Sequence, residues 1–306
     1  YVALKPGYEA SDEIADKVQK ALIDEIGPIA KARKIWVVPD MPKTRSGKIM
    51  RRILAAISGG KDSLALLLEL HSQDYQVTGL FVDLGIPDSS DLARAKVEAF
   101  CAAHGLDLQV VETAAHGLAI PVVKKAVRRP ICAVCGKVKR YYFNKVAMDQ
   151  NFAALATGHT LDDEAGRLLA NTLRWDGPYL SDQGPRLEAE NGFARKVKPL
   201  FRLTEFETAV YCFLKGIDYH MSGCPYAQGA SFPVLKEAMA DLEEKRPGQM
   251  LSFYLSFLEK GKPAFTAMEK EQGADLAPCV ECGYPTSAGT CGVCRIKAQV
   301  ADAGGI

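Results

Sequence analysis

The sequence predicts an α/β fold: a parallel sheet with helices on both faces, preceded by a small α+β segment and followed by a cysteine-rich tail. Three observations carry this. From about Arg51 short apolar runs alternate with amphipathic stretches, the pattern of strands feeding crossover helices. A glycine-paired loop, Ser58-Gly59-Gly60-Lys61-Asp62-Ser63, stands at the first strand-to-helix junction. Six of the nine cysteines form three C-x2-C pairs, Cys132/Cys135, Cys279/Cys282 and Cys291/Cys294.

Taken in order, residues 11–26 read as a helix, with Ser11 as N-cap and Ile14, Val18, Leu22 and Ile26 at helical spacing. Ile35–Val38 is a short strand, and 39–48 is a loop carrying Lys43, Arg45 and Lys48. The alternating region follows. Leu54–Ile57, Val77–Val82, Leu108–Val111 and Phe152–Ala156 read as strands. Asp62–Gln73, Asp91–His104, Lys137–Asp149 and a stretch from Leu161 read as helices. Ligands of such sheets bind beyond the carboxyl ends of the strands, here the loops after Ile57, Val82 and Ala156. Residues 176–199, rich in Gly, Pro, Asp and Gln, read as a long and partly mobile connection. Helical patterns return over Leu203–Lys262, and the glycine- and cysteine-rich tail starts at Pro278. The divisions expected are 1–53, a catalytic domain 54–235, a helical extension 236–274 and a metal-binding ribbon 275–297.

Composition sets outer bounds. The chain has 306 residues, 48% apolar, and a net charge of +1. That balance excludes a uniformly basic nucleic-acid binder, so any polyanion site must be a local patch. No apolar run approaches the ~18 residues of a membrane span, and no charged-then-apolar leader opens the chain. The expectation is a soluble, cytoplasmic protein. Cys101 and Cys212 fall in apolar helical patterns and read as core residues.

Paired glycines permit positive φ and close approach of backbone amides to an anion, and a helix N-terminus adds partial positive charge. Ser58 and Ser63 add hydroxyl donors, Lys61 a point charge, and Asp62 a carboxylate to orient the loop or hold Mg²⁺. The spacing differs from the G-x-x-x-x-G-K-[ST] loop of ordinary ATPases. It is the PP-loop pattern, shared by enzymes that cleave ATP between the α- and β-phosphates and adenylate a substrate.

Cys279-x2-Cys282-x8-Cys291-x2-Cys294 is a complete four-thiolate set, suited to tetrahedral structural Zn²⁺. Cys132 and Cys135 have no second pair nearby. Cys224, in Ser222-Gly223-Cys224-Pro225, is the candidate third thiolate of an iron–sulfur cluster with one open iron, while a redox pair or sulfur relay stays open. The basic run Lys124, Lys125, Arg128, Arg129, Lys137, Lys139, Arg140 and Lys145 brackets the first pair. It offers phosphate contacts, with Tyr141 and Tyr142 as candidate base-stacking rings.

The motifs SGGKDS (58–63), CAVCGKVKR (132–140), TGHTLDDEA (157–165), SGCPYA (222–227) and CVECGYPTSAGTCGVCR (279–295), in this order, resemble the PP-loop tRNA 2-thiolation enzymes of the TtuA/Ncs6 group, related to TtcA. The resemblance implies an adenine nucleotide alpha-hydrolase-like catalytic domain and a carboxy-terminal zinc ribbon. It implies a 4Fe–4S cluster on Cys132, Cys135 and Cys224, catalytic roles for Lys139 and Asp163, and ATP contacts from Asp83, Gly158 and His159. The reaction implied is adenylation of O2 of a tRNA base followed by sulfur transfer. Expected partners are tRNA, a sulfur donor (a ubiquitin-like thiocarboxylate, persulfide or sulfide) and a second copy in a homodimer. The alternatives are a PP-loop pyrophosphatase or ligase without a cluster, and a non-catalytic zinc adaptor for RNA or a sulfur carrier. Such enzymes open with another zinc ribbon, whereas this chain has no cysteine before Cys101. Instead EIGPIAKARKIWVVPDMPKTRSGKIMRRIL resembles the end of acetyl-CoA synthetase, with Lys48 matching its adenylation lysine. The large acyl-adenylating domain that Lys48 would serve is not in the sequence, so no catalysis is expected of this segment.

Overall fold

The computed structural model describes residues 2–3, 11–26, 37–38, 52–227, 232–269 and 276–304. The chain divides into two compact units, 1–51 and 52–306. In the first, strand β1 (Val2–Ala3) pairs in parallel with β2 (Val37–Val38), and helix α1 (Asp12–Ile26) lies between them in sequence. Ile14 N donates to Ser11 Oγ at 3.3 Å, the capping bond expected of Ser11. The loop carrying Lys43, Arg45 and Lys48 lies outside the described residues.

The second unit begins with β3 (Arg52–Ile57), whose buried run identifies a strand covered on both faces. Helix α2 (Lys61–Ser72), β4 (Gln76–Asp83), α3 (Ser89–His104) and β5 (Asp107–Glu112) follow. A 3-10 turn (Thr113–His116) leads to α4 (Ile120–Ala126) and α5 (Ile131–Asp149). Next come β6 (Ala154–Thr157), α6 (Leu161–Arg174), α7 (Gly177–Ser181), β7 (Arg186–Leu187) and β8 (Lys196–Val197). Helices α8 (Glu205–Lys215), α9 (Phe232–Lys245), α10 (Gln249–Ser256), a π-helical turn (Phe257–Gly261) and α11 (Lys262–Glu269) precede the tail. The tail holds the antiparallel pair β9 (Ala277–Pro278) and β10 (Pro285–Thr286), then α12 (Gly292–Asp302).

The sheet order is β5-β4-β3-β6-β8-β7, parallel except for the β7–β8 pair. The chain leaves β3 toward β4 on one side and returns to β6 on the other. The switch point between β3 and β6 is therefore where this topology opens a crevice. Alternation along β3 divides the core. Ile53, Ala55 and Ile57 join Leu64, Leu67 and Leu70 of α2 and Val97 of α3 on one face. Leu54 and Ala56 join Val134, Val138 and Tyr141 of α5, Val300 of α12, and Cys279 and Cys291 on the other. A third cluster links α6 to Leu180, Met239, Met250 and Tyr254.

Three expectations change. Residues 176–199, expected as a long connection, contain regular structure: they supply α7 and the strands β7 and β8, because Val197 can pair beside Ala156 at the sheet edge. Cys132 and Cys135 do not precede the basic helix but lie within it. Nothing between Ile131 and Lys137 breaks a helix, and Gly136 is covered by Arg140, whose Nη1 would lie 3.1 Å from a Cβ at that position. The tail also carries α12, whose Val293, Ile296 and Val300 face the core.

Candidate active site

The glycine loop sits at the switch point. Gly59 has φ +81°, and a Cβ there would meet the Ala93 carbonyl oxygen at 3.0 Å, so this position requires glycine on two grounds. Gly60 caps α2, and Ser63 folds its hydroxyl back onto the Gly60 carbonyl at 2.9 Å while accepting from Ser58 N at 3.2 Å. No side chain caps the first amides of α2 among the described residues, the arrangement in which a helix N-terminus offers its amides to an anion. Asp62 faces inward: it accepts from Lys61 Nζ at 2.8 Å and from the Thr208 hydroxyl at 2.5 Å. Its part is to brace the loop against α8. Cys212 Sγ adds a contact to the Lys61 carbonyl at 3.5 Å, and His220 N donates to the Gly59 carbonyl at 2.8 Å.

The loop after β6 closes on this glycine loop. A Cβ on Gly158 would lie 2.9 Å from the Asp62 carbonyl and Ser63 amide, so only glycine allows the two loops to touch. Thr157 Oγ1 and His159 Nδ1 are 2.7 Å apart. Burial, then Lys198, lowers the His159 pKa against the pull of Asp163 and Glu164. Asp163 closes a capping box with Thr160 through its Oδ2 (Thr160 N at 3.1 Å), and its Oδ1 accepts from Lys236 of α9 at 2.9 Å. Burial would raise its pKa, but Lys236 and His159 hold it below the usual carboxylate value. At neutral pH this group is an anion with little affinity for a proton.

The carboxylates either side of Asp163 anchor other elements. Asp162 accepts from Glu205 N of α8 at 2.8 Å. Glu164, fully buried, accepts from Lys198 Nζ at 2.8 and 2.9 Å and from the Tyr254 hydroxyl at 2.7 Å. Asp83, at the end of β4, accepts from Gly85 N at 2.9 Å and lies 3.6 Å from Arg94.

The second cluster lies on the first turns of α5. Cys132 and Cys135, three residues apart, share one helix face. Cys132 Sγ donates to the Tyr226 carbonyl at 3.2 Å, tying the Cys224 segment to that face. Lys124 Nζ sits 4.7 Å from the centre of the Tyr226 ring. Burial raises the Cys135 thiol, Lys139 opposes this, and Cys224 and Cys132 raise it further, so the three thiols act on one another. Cys132 and Cys224 are exposed. Lys139, one turn after Cys135, makes no hydrogen bond or ion pair among the described residues. Cys224 lies four residues beyond His220, so the chain itself keeps it within roughly 14 Å of that glycine-loop anchor.

The tail cysteines form the tighter set: the sulfurs of Cys279, Cys282, Cys291 and Cys294 all lie within 4.8 Å of one another. Cys282 and Cys291 Sγ are 3.7 Å apart, against about 3.8 Å for a tetrahedron with Zn–S bonds near 2.3 Å. Although burial would raise the Cys279 thiol, backbone amides of Cys291, Glu281 and Cys282 bring it down to about 6. The donor set therefore fits one tetrahedral ion. The three α5-side thiols, two exposed and one half-buried, suit a group that keeps an accessible face.

Tyr141 and Tyr142 cannot stack on bases: both are buried against the core. Lys145 pairs with Asp149 at 3.0 Å. Thr208, Lys236, Lys198 and Tyr284 were not anticipated. Their partners lie far along the chain, and no local spacing announces them.

Fold and loop together define an α/β protein of the PP-loop class. The PP-loop domain family model matches residues 37–222, and that of the C-terminal domain of AMP-binding enzymes matches 1–48. The tRNA-5-methyluridine(54) 2-sulfurtransferase of Thermus thermophilus is 42% identical over 246 residues, covering 80% of this chain and 76% of its own length. That of Pyrococcus horikoshii is 40% identical over 244 residues, covering 80% and 77%. The solved structure of the U34-tRNA thiolase NcsA from Methanococcus maripaludis with its 4Fe-4S cluster superposes with a TM-score of 0.67 at 22% identity, covering 92% of this chain and 87% of that one, a shared fold. The chain belongs to the PP-loop tRNA 2-thiolation family.

Proposed function

We propose that this protein is an ATP-dependent tRNA 2-thiolation enzyme. The observation that carries the reading is the pairing of the glycine loop at the α2 N-terminus with the Cys132 face of α5, linked by the five residues from His220 to Cys224. ATP would place its phosphates on the amides of Gly60–Ser63, with Gly158 and His159 closing over them and Asp83 at the neighbouring strand end. The base O2 attacks the α-phosphorus and pyrophosphate leaves, held by the α2 amides and Lys61. A sulfide-level sulfur then adds at C2, and AMP departs with the original oxygen. Lys139, one turn beyond Cys135 and without an ion pair among the described residues, stabilises negative charge that develops in this exchange. Asp163, held as an anion, serves as a counter-charge for the magnesium that accompanies ATP rather than as a base.

Cys132, Cys135 and Cys224 would hold a 4Fe–4S cluster, which when bound supplies an open iron for the incoming sulfur. Cys279, Cys282, Cys291 and Cys294 would hold Zn²⁺. The functional divisions are 54–235 for catalysis, 236–274 as a helical support and 275–297 as the ribbon. No helix among the described residues is long and apolar enough to cross a membrane. The compartment this reading names is the cytoplasm. tRNA, a sulfur donor and a second copy of the chain are the partners this reading names.

The test is anaerobic purification with metal analysis, then incubation with ATP, tRNA and sulfide and mass analysis of the nucleosides. About four irons and one zinc per chain, iron alone lost in Cys132→Ala/Cys135→Ala, and a 2-thiolated pyrimidine formed only with ATP are the expected results. Zinc without iron after reconstitution, or thiolation unaffected by the double variant, overturns the cluster assignment. Pyrophosphate release with no thionucleoside would favour another PP-loop ligase.

A further inference from the structure

Three concavities follow one seam between the α4–α5 segment and the tail. The first, about 480 Å³, is bounded by Arg128, Arg129 and Gln299, with the carboxylate of Asp302 at its far end. Arg129 and Gln299 continue into the second, about 250 Å³, which adds Lys137 and Arg295. Lys137 then lines the third, about 290 Å³, together with Arg140, Lys196, Phe193 and Tyr284. Among the described residues no carboxylate lines the second or third. A Cβ on Gly292 would sit 2.9 Å from Lys137 Nζ, so the glycine lets α12 start beside this cation.

The third cleft combines charge with aromatic surface. Tyr284 is half-buried, its ring 4.8 Å from buried Tyr141 and 5.8 Å from Phe193, which meets it edge-on. Lys196 Nζ lies 5.5 Å from the centre of the Phe193 ring. Burial lowers the pKa of Lys196 and Arg140 adds to this, while burial and then Arg167 lower Arg140. These are crowded cations that an arriving anion would relieve, with Asp182 acting on Lys196 from nearby. Arg140 Nη1 would lie 3.1 Å from a Cβ on Gly136, so the cleft shares this side chain with the turn that follows Cys135.

We propose that this third cleft is a subsite for an unpaired nucleotide of the RNA substrate, its base stacked on Tyr284 and its phosphate held by Arg140 and Lys196. The adjoining strand follows Lys137, Arg129 and Arg295 along the seam. The inference rests on the RNA-modifying function proposed above. A duplex keeps its base faces stacked, so a concave aromatic wall selects an unpaired base, while the cations supply phosphate affinity.

The experiment uses the full-length, zinc-loaded protein with a tRNA transcript and with a single-stranded oligoribonucleotide carrying a central 2-aminopurine. Lys196→Gln is expected to weaken tRNA binding about tenfold and to reduce the salt slope by about one. The 2-aminopurine fluorescence should be quenched by wild type and Tyr284→Phe, and not by Tyr284→Leu. Arg195→Gln, whose side chain pairs with Glu188, controls for loss of surface charge and should change neither. Zinc content and melting temperature report folding of each variant, and Lys196→Arg should restore the affinity. Wild-type tRNA affinity and slope in Lys196→Gln, or no quenching by wild type, overturns the subsite while leaving RNA binding intact. Failure of wild type to bind tRNA overturns the RNA reading itself. Competition of the oligonucleotide by AMP as effectively as by unlabelled RNA would assign the cleft to a free mononucleotide instead, which also overturns the proposal.

Discussion

Gly158 meets the backbone of Asp62 so closely that a Cβ would lie 2.9 Å from its carbonyl carbon and oxygen. Two loops from adjacent strands, one opening α2 and one preceding α6, thus touch through main chain alone. Neither can move closer to the other, and any side chain at 158 must drive them apart.

Gly158→Ala is expected to push the β6 loop away from the glycine loop by several tenths of an ångström. The Michaelis constant for ATP in a pyrophosphate-release assay should rise at least tenfold, with zinc content and helical signal unchanged. An unaltered constant would show that the contact does not shape the nucleotide site.

The buried pair of Lys198 and Glu164 yields a stability prediction. Lys198→Met strands a fully buried carboxylate and should destabilise the large unit by roughly 3–5 kcal/mol, a drop of about 10 °C in melting temperature. Glu164→Gln/Lys198→Met should recover a substantial part of that loss. If the double variant melts lower than Lys198→Met, the pair is not what the lysine supports.

His159 gives a pH signature. Its folded pKa lies below the ordinary histidine value near 6.5, so the unfolded chain takes up the proton first as acid is added. Its stabilising contribution is complete above about pH 6.5 and is lost as pH falls through the folded value. Denaturant melts at successive pH values should show wild type losing stability more steeply than His159→Gln below pH 6.5. The difference is at most about 1.4 kcal/mol per pH unit. Parallel curves would place the titration elsewhere.

Breaking the four-thiol set of the tail should be felt beyond the tail itself. Cys279 and Cys291 share a core cluster with Val138 and Tyr141 of α5. Cys282→Ser/Cys294→Ser is therefore expected to lower the melting temperature of the large unit as one transition. A ribbon that melts separately, with the main transition unmoved, would contradict this coupling.

Much of the sheet was legible in the sequence because its strands are buried on both sides and read as plain apolar runs: β3, β4 and β6 appear within two residues of their expected bounds. Strands β7 and β8 were not legible. Each has two residues, and Lys196 and Arg186 give no apolar signal; only pairing with the existing edge makes them strands. The anion loop declared itself through its two glycines, and the tail thiolates through their spacing. The supports of those groups did not. Thr208 reaches Asp62 across 146 positions, and Lys236 reaches Asp163 across 73. Such partnerships are created by the helix packing itself. Tyr141 and Tyr142 misled because a basic neighbourhood resembles a solvent-facing one, whereas every third or fourth residue of α5 turns inward.

Three consecutive carboxylates on the first turn of α6 fasten four different pieces of chain: Asp162 the start of α8, Asp163 the lysine of α9, and Glu164 both Lys198, just after β8, and Tyr254 of α10. Successive helical positions point about 100° apart, so the three directions are fixed by the backbone. A slip of this helix by one residue would turn every one of these carboxylates toward the wrong neighbour. The wrong register is thus penalised three times over, and the loop that ends at Thr160 inherits a single position relative to the rest of the molecule.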